Sequence, residues 1–437
     1  MFIRLGASLF AAVLAIGLLA TSASAVTPAT GTVIGAPATA VTPATGTVIG
    51  APATAVAPVN VSTLASAVGP YTPPAGALFS LPFGTHAEKF RITDRIERTI
   101  SGTRKGSTIR IATWAIDVRD TADRLISAHK RGVNVRMVLN QHADTGQLRR
   151  LQRVLGTDTS ARSFAITCSH GCRSSEPATM HAKFYLFSQV GRASNVVMVS
   201  SGNLTRGTIY RGFNDLFTVV NKAVLYGGFV RTFGEMSTRR AVKSPYRVTT
   251  SGRYQAYFYP RPGTTKYSDT IYENLSKVRC HGATGGAGVG GKTIIRVSMF
   301  FIAGERGAYL ARKLLSLDNS GCTVKVIFGA LSPEVSQILR RRGKNGGIDV
   351  RNSRHDVNGD GEVDKRVHTK YMLINGVYAG DASSWHVFTG SENWTMAALR
   401  RADEVTLRIR GQSVHKRYVA NFNHVYRTAS RPTGYSN

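Results

Sequence analysis

One short pattern occurs twice in this chain and constrains its fold more than any other feature. His181 and Lys183 lie two residues apart at the head of an apolar run, and His368 and Lys370 repeat this arrangement. Extended chain alternates faces with a period of two, so each imidazole points the same way as its lysine. The two copies predict two halves that each present a histidine and a lysine to one pocket.

Each copy is followed by a segment of small residues and asparagine. The segment SSGNLT contains Ser201 and Asn203, and the segment GSENWT contains Ser391 and Asn393. A single histidine near a lysine is most simply a half-buried strand residue. The doubled order of histidine, lysine, serine and asparagine instead indicates a catalytic site.

The chain around these motifs alternates between helix and strand patterns in the same order in both halves. The first half gives HAEKFRITDRIERTI, STIRIATWAI, TADRLISAHKRG and VNVRMVLN, and the second gives YSDTIYENLSKV, KTIIRVSMFFI, RGAYLARKLLSLDNSG and CTVKVIFG. Strands alternating with helices are typical of a parallel sheet covered on both faces. We predict an α/β fold of two similar halves, each a mainly parallel sheet with flanking helices, which share one active site at their interface.

The N-terminal part of the chain differs from the rest. Residues 1–25 contain Arg4, an apolar run and the small-residue sequence ASA, which predicts a secretory signal peptide. Residues 26–77 contain VTPATGTVIGAPATA twice without change, which predicts a low-complexity linker. We place the first half at residues 78–250 and the second at 251–437. We expect a secreted monomer that has no transmembrane segment once the signal is removed.

The charge of the chain indicates the kind of partner. Lys and Arg number 56 against 25 Asp and Glu, a formal net charge of +31. Such a surface is suited to polyanions, which include nucleic acid, anionic lipid headgroups and anionic cell-wall polymers. Peripheral contact with a membrane is therefore one expectation, and nucleic acid is another.

The four cysteines have two interpretations. In an exported protein disulfides persist, so Cys168 and Cys172 can close a small loop while Cys280 and Cys322 form a longer staple. A zinc site on Cys168, His170 and Cys172 is the alternative, although a fourth ligand is not evident. The spacing favours the disulfides.

The doubled motif resembles that of the phospholipase D superfamily, which is His-x-Lys, four residues, Asp, and then Gly/Ser-Ser-x-Asn. The resemblance covers roughly residues 80–430. Where the superfamily motif has aspartate, this chain has Ser188 and Asn375. Tyrosyl-DNA phosphodiesterases of the same superfamily also lack that aspartate, so its loss is compatible with activity. A weakened or inactive enzyme is the alternative.

The resemblance implies a phosphodiesterase that works through a covalent phosphohistidine and requires no cofactor. One imidazole attacks phosphorus, and the other protonates the leaving oxygen and later activates water. By superfamily habit His181 is the nucleophile and His368 the general acid/base, with the reverse assignment left open. The predicted phosphate ligands are Lys183, Lys370, Ser201, Asn203, Ser391 and Asn393.

Two acidic residues complete the predicted catalytic set. Asp215 and Glu404 lie at nearly equal distances downstream of the two motif asparagines. A carboxylate there can accept the second ring N–H of a catalytic histidine and fix its tautomer. We expect Glu404 to lie behind His368 and keep it charged. A surface ion pair with an arginine is the alternative for Asp215.

Two further motifs concern phosphate and metal binding. GAGVGGKT, residues 286–293, matches the P-loop pattern, but a strand follows it where a helix is needed, so we reject nucleotide binding. DVNGDGEVD resembles the start of an EF-hand loop and predicts a structural Ca²⁺ site, although Val367 stands where a bidentate carboxylate is expected. Its ligands would be Asp356, Asn358, Asp360, Glu362 and Asp364.

Three functions fit these observations. The first is a secreted phosphodiesterase that hydrolyses phospholipid headgroups, the second a secreted nuclease that uses the same site, and the third a weakly catalytic polyanion-binding protein. A lipid substrate predicts an aromatic rim at the cleft, and nucleic acid predicts an arginine-lined groove. The rim candidates are Phe79, Phe83, Trp114, Phe300, Phe301 and Trp385.

Overall fold

The structure is a computed structural model that describes residues 71–174 and 176–434. The predicted signal peptide and the predicted linker up to residue 70 lie outside the described residues. Within the described part of the chain, no helix is both long enough and apolar enough to cross a membrane.

The first half of the described chain builds one mixed sheet. Its strands lie in the order β1-β8-β6-β5-β2-β3-β4, with β2, β3 and β4 parallel to one another and the other neighbours antiparallel. The elements are β1 (Gly76–Phe79), α1 (His86–Ser101), β2 (Thr108–Thr113), α2 (Arg119–Lys130), β3 (Asn134–Asn140), α3 (Gly146–Leu155), β4 (Phe164–Cys168), β5 (Phe184–Val190), β6 (Ala193–Ser200), α4 (Arg206–Arg211), β7 (Gly212–Phe213), β8 (Asp215–Val219) and α5 (Ala223–Ser237).

The second half builds a larger mixed sheet in the order β19-β14-β13-β12-β16-β17-β18-β10-β9, with β11 beside β16. Here β12, β13 and β14 are parallel to one another. The elements are β9 (Arg247–Ser251), β10 (Tyr254–Tyr259), α6 (Thr270–Ser276), β11 (Val278–Arg279), β12 (Ile294–Ile302), α7 (Gly304–Asn319), β13 (Thr323–Leu331), α8 (Pro333–Leu339), β14 (Asp349–Asn352), β15 (Arg366–Val367), β16 (Lys370–Tyr378), β17 (Asp381–Gly390), α9 (Met396–Arg400), β18 (Glu404–Arg410), α10 (Gln412–Thr428) and β19 (Arg431–Pro432).

This architecture confirms the predicted α/β fold of two similar halves but corrects the predicted strand directions. Within the two large sheets, parallel pairing is limited to the strands joined through helices, such as β2 and β3 across α2. The strand after each His-x-Lys motif returns through a tight turn, at Gly191 in one half and Gly380 in the other, both with positive φ. A turn this short joins antiparallel strands, so antiparallel pairs outnumber parallel ones.

Apolar side chains from both sheets meet in one central core. Phe184 and Phe217 of the first sheet, Leu373 and Leu407 of the second, and Phe229 of α5 belong to the same buried cluster. Fully burying a side chain of this kind stabilises a fold by about 1.5–3 kcal/mol. The shared core therefore fixes the two halves against each other.

The outer faces of the two sheets are covered by amphipathic helices. In α7 the buried residues Leu310, Leu314 and Leu317 follow the spacing of one helix face, and they pack on β12 and β13. α1 begins at a capping box in which Thr85 and Glu88 satisfy each other's backbone N–H groups. The helices therefore shield the outer faces of the sheets from water.

Two short backbone pairings cross between the halves next to the motifs. β15 pairs with β7 in parallel, and Met180 forms an isolated bridge with Asp403. Each pairing holds a His-x-Lys segment of one half against the loop that follows the Ser-x-Asn segment of the other half. The halves therefore exchange contacts at the site itself.

The cysteine pairs are disulfides, as predicted. Cys168 is bonded to Cys172, and Cys280 is bonded to Cys322. Both sulfurs of the Cys168–Cys172 loop are thus used, which removes the zinc alternative that included His170.

Candidate active site

His181 lies against a carboxylate from the opposite half. Its Nδ1 is 2.6 Å from Oε1 of Glu404, and its backbone N–H donates to the carbonyl of Asp403 at 3.0 Å. Glu404 is almost fully buried, whereas the side chain of His181 keeps 19% exposure. The Nδ1–H therefore points at Glu404, and the other ring nitrogen, Nε2, remains for chemistry.

His368 has similar backbone and Nδ1 contacts with an amide in place of the carboxylate, and Nζ of Lys370 also lies 3.1 and 3.2 Å from its two ring nitrogens. Its backbone N–H donates to Phe213 O at 2.9 Å, and its Nδ1 lies 2.9 Å from Oδ1 of Asn214. The Asn214 amide nitrogen donates to the carbonyls of Thr208 and Gly212, at 3.1 and 2.9 Å. These two bonds fix the orientation of the amide, so its oxygen faces His368.

The structure corrects the expected partners of the histidines. Glu404 contacts His181 and not His368. The reason is that the segment before Glu404 pairs with the His-x-Lys segment of the other half, through Asp403. Asp215 contacts neither ring, since its buried carboxylate accepts from Thr389 and from Tyr418. Counting from the motif asparagines would have identified the correct pair, because Asn214 and Glu404 each follow the motif asparagine of their own half by 11 positions.

The motif serines orient the histidine partners. The hydroxyl of Ser391 donates to Oε2 of Glu404, and that of Ser201 donates to Oδ1 of Asn214 at 3.3 Å. Both serines are fully buried. The expectation that Ser201 and Ser391 bind phosphate directly is therefore replaced by a positioning role.

The two motif lysines are buried beside the histidines. Lys183 donates to the carbonyl of His181, and Nζ of Lys370 lies 2.6 Å from the carbonyl of His368 and 3.3 Å from that of Ser201. Among the described residues neither ammonium group forms a salt bridge. The pocket therefore holds positive charge that an anionic ligand can neutralise.

Burial and the lysines set the protonation of the site. Burial lowers the pKa of Lys183 to about 7, opposed by the nearby Glu404, and burial also holds the pKa of Lys370 well below its ordinary value. Burial, followed by the two lysine charges, holds the pKa values of His181 and His368 well below the ordinary value. Burial raises the pKa of Glu404 to about 7. Both imidazoles are therefore neutral near pH 7.

The motif asparagines leave their amide nitrogens free. In the described chain no hydrogen bond is formed by Nδ2 of Asn203 or Asn393, and both Oδ1 atoms are buried without a partner. Both residues sit in the turns that follow β6 and β17, next to the histidines. Each can donate to a non-bridging phosphate oxygen, as predicted from the motif.

The residues that replace the motif aspartate have structural contacts. Oγ of Ser188 accepts from the backbone N–H of Thr108 at 2.9 Å, and Oδ1 of Asn375 accepts from Gly288 N–H at 2.9 Å. Each lies five residues beyond its lysine, about 16 Å away along an extended strand. Both still supply a hydrogen-bond acceptor, so their substitution does not dismantle the site.

One buried ion network was not found from the sequence. Arg306 on α7 bonds Asp269 at 2.8 Å and Glu392 at 2.7 Å, and it donates to the carbonyl of Asn393 at 2.9 Å. Its guanidinium therefore fixes the turn that carries the second motif asparagine. No local pattern marks Arg306, because its partners come from distant parts of the chain.

The two remaining motifs are the glycine-rich loop and the acidic loop. The GAGVGGKT loop is followed by β12, so no helix opens at its lysine, which agrees with the rejection of nucleotide binding. In the acidic loop, Asp356 accepts from Gly359 and Gly361, and Asp364 accepts from Val357. Among the described residues, no group of three or more His, Cys, Asp or Glu is arranged to hold a metal. Ca²⁺ binding stays a prediction.

The family of the chain follows from this fold and site. A family model described as "Cardiolipin synthase, PLD-like domain" matches residues 96–236 and 291–426. The chain belongs to this phospholipase D-like family, and the resemblance inferred from the two motifs is confirmed. No protein of curated function matches the sequence.

Several solved structures align with this chain, and those with a TM-score of 0.56 share its fold. Polyphosphate kinase from Porphyromonas gingivalis aligns with a TM-score of 0.56 and 13% identity over 82% of this chain, which spans about half, 48%, of the kinase. Phosphatidylserine synthase from Haemophilus influenzae gives 0.56 and 13%, covering 82% of this chain and 89% of the synthase. Yeast tyrosyl-DNA phosphodiesterase gives 0.45 and 11%, covering 78% and 90%. At these identities the likeness concerns the fold alone.

Proposed function

We propose that the protein is a secreted phosphodiester hydrolase that works through a phosphohistidine on His181. One observation supports this proposal above all others: Nδ1 of His181 faces the carboxylate of Glu404, whereas Nδ1 of His368 faces the amide oxygen of Asn214. Different partners suit the two rings to different steps of one reaction.

His181 is suited to the nucleophilic step. With Nδ1–H donated to Glu404, the lone pair of Nε2 is free to attack phosphorus. The resulting phosphohistidine still carries the Nδ1 proton, so its ring is cationic. The carboxylate of Glu404, 2.6 Å away, stabilises that charge as it develops.

His368 is suited to the proton transfers. An amide oxygen stabilises an imidazolium less than a carboxylate does, so a protonated His368 gives up its proton readily to the leaving oxygen. The negative charge of the bound phosphodiester raises the pKa of His368, which takes up a proton from solvent before the first step. In the second step neutral His368 takes a proton from water, which attacks phosphorus and releases His181.

The charges of the phosphoryl group are neutralised by side chains. Lys183 and Lys370 are buried beside the two imidazole rings. The amide nitrogens of Asn203 and Asn393 form no hydrogen bond among the described residues and can donate to phosphate. Fixed donors in a site shielded from water stabilise a transferring phosphoryl group without reorganisation. The proposed chemistry therefore runs on these groups, with no step assigned to a metal.

Export is proposed on two grounds. The N-terminal residues have the composition of a signal peptide, and all four cysteines are in disulfides, which form and persist outside the reducing cytosol. The phospholipid substrate favoured from the sequence and the nucleic-acid alternative share the same reacting group. The aromatic ring of Phe300 and the guanidinium of Arg366 beside His368 favour nucleic acid as the substrate.

The test uses a small diester first and macromolecular substrates second. We expect the purified protein to cleave bis(p-nitrophenyl) phosphate in the presence of EDTA, and we expect His181→Ala to abolish that cleavage. His142→Ala, which changes an exposed histidine, is the matched control and should keep full activity. Absence of cleavage by the wild-type protein toward this diester, phospholipid vesicles and DNA would contradict the proposal.

A further inference from the structure

A pocket of about 200 Å³ opens beside His368. It receives side chains from three elements: the C-terminal end of α4, the strand β12, and β15 with the residue that follows it. Its lining includes Thr208, Arg211, Gly212, Phe300, Arg366 and His368. Since His368 is the proposed proton donor to the leaving oxygen, this pocket lies where the leaving group departs.

The ring of Phe300 packs against His368, the proposed general acid. Its ring centroid is 4.7 Å from that of His368, and its backbone N–H donates to the carbonyl of Thr369 at 2.9 Å. The guanidinium of Arg366 lies over the same ring, 5.0 Å from its centroid. A flat ring system entering the pocket meets both an aromatic side chain and a planar cation.

The positive charge of the pocket is offset only in part, because Arg211 is close enough to Asp360 to help lower the pKa of that carboxyl, after its hydrogen bonds to Glu362 and Asn358. In the described residues, neither Arg211 nor Arg366 forms a salt bridge or a side-chain hydrogen bond. Arg366 is half buried. A second arginine, Arg354, is close enough to lower the pKa of Arg366 after burial, the larger cause. Such unpaired guanidinium groups favour an anionic ligand.

An aromatic ring beside two arginines favours some phosphodiester leaving groups over others. Choline and ethanolamine headgroups are cations, which two unpaired arginines repel. A nucleotide offers a planar base that stacks on aromatic rings and guanidinium planes, and its neighbouring phosphates are anions. The net charge of +31 adds long-range attraction for the same polymer.

We propose that the pocket formed by Phe300, Arg366 and Arg211 binds the leaving nucleotide of a single-stranded nucleic acid. In the reaction the P–N bond to His181 forms, the P–O bond to this nucleotide breaks, and its oxygen takes the proton of His368. A single strand is required because a base paired in a duplex is not free to enter the pocket. The inference rests on the proposed phosphodiesterase function and names its substrate class.

The experiment compares two single-stranded oligonucleotides of equal length, one complete and one with abasic residues on the leaving side of the cleaved bond. Stacking of a base on an aromatic side chain is worth about 5- to 150-fold in affinity. We expect the wild-type kcat/KM to be about tenfold higher for the complete strand. Phe300→Ala should reduce this preference to near unity.

Two further variants separate stacking from damage to the fold. Phe300→Leu keeps apolar volume and loses the flat ring, so it should also lose the preference for bases. Phe301→Ala changes the neighbouring, more exposed ring and should keep it. Thermal denaturation verifies that each variant is folded.

The outcomes for the subsite and for the chemistry are distinct. If the wild-type protein cleaves bis(p-nitrophenyl) phosphate but treats the two strands alike, the subsite is refuted and the catalytic proposal stands. Faster cleavage of phosphatidylglycerol vesicles than of either strand likewise overturns the nucleic-acid assignment. Failure to cleave any diester would contradict both the catalytic proposal and the proposed nucleotide subsite.

Discussion

At the scale of single residues, the two halves give their histidines different Nδ1 partners. A carboxylate faces Nδ1 of His181 and an amide faces Nδ1 of His368, and His368 alone also has Phe300 against its ring. The carboxylate stabilises a ring that becomes cationic by bonding to phosphorus. The amide leaves the other ring a stronger acid. The division of labour between the histidines therefore depends on Glu404 and Asn214.

Replacing Glu404 by glutamine should lower kcat strongly while leaving substrate binding nearly intact. The variant keeps the shape of the side chain and loses the charge that stabilises the phosphohistidine, so we expect a fall in kcat of about 10²- to 10⁴-fold. Steady-state kinetics on a small diester measures it. Glu334→Gln, at an exposed position on α8, is the control, and an equal effect of both changes would contradict the assignment.

The pH dependence of kcat/KM should be a narrow bell centred near neutrality. Burial raises the pKa of Glu404 to about 7, so the carboxylate is lost as the pH falls below that value. Burial lowers the pKa of Lys183 to about 7, so the ammonium charge is lost as the pH rises above it. The profile of kcat should extend further to high pH, because a bound phosphate anion raises the lysine pKa. A flat profile across neutrality would disagree with this account.

At the scale of secondary structure elements, the site depends on turns that leave no spare space. A Cβ at Gly212, where β7 begins, would lie 2.7 Å from Nδ2 of Asn214 and 3.0 Å from Cβ of His368. The guanidinium of Arg306 on α7 ties the second Ser-x-Asn turn to α6. Elements remote from the chemistry thus hold the reacting groups in position.

Gly212→Ala should impair catalysis without unfolding the protein. The added methyl group displaces the Asn214 amide or His368, and a misplacement of about 1 Å can cost about 100-fold in rate. Gly227→Ala is the matched control, because a Cβ there meets open space on α5. Kinetics and circular dichroism of the two variants should show a loss of kcat in the first alone. Equal activity would place the Asn214 contact outside catalysis.

Arg306→Ala should destabilise the fold far more than a change of another arginine on the same helix. Removing one partner of a buried ion network leaves Asp269 and Glu392 uncompensated, which costs about 3–5 kcal/mol of unfolding free energy. Arg312→Ala breaks an exposed pair with Glu334 and should cost less than about 1 kcal/mol. Urea unfolding curves measure both. A small effect at Arg306 would show that the network does not stabilise the fold.

At the scale of the whole molecule, the doubled motif predicted the two-half α/β fold, because periodic strands and helices and a repeated order of polar residues are local signals. The sequence did not predict that each histidine takes its Nδ1 partner from the opposite half. Glu404 follows the second motif in sequence, which suggested His368 as its partner, yet in space it meets His181. The buried contacts of Arg306 and Asn214 likewise arise only once distant segments pack together.

The central claim is that both halves act on one phosphorus atom, with His181 as nucleophile. The most direct measurement is mass spectrometry of the protein after rapid acid-free quenching with bis(p-nitrophenyl) phosphate. In His368→Ala, which keeps the nucleophile and lacks the group that activates water, we predict a nitrophenylphosphoryl adduct on His181 that accumulates, and in His181→Ala we predict none. An adduct on His368 in the His181→Ala protein, or no adduct in either variant while the wild-type protein turns over, would contradict the account.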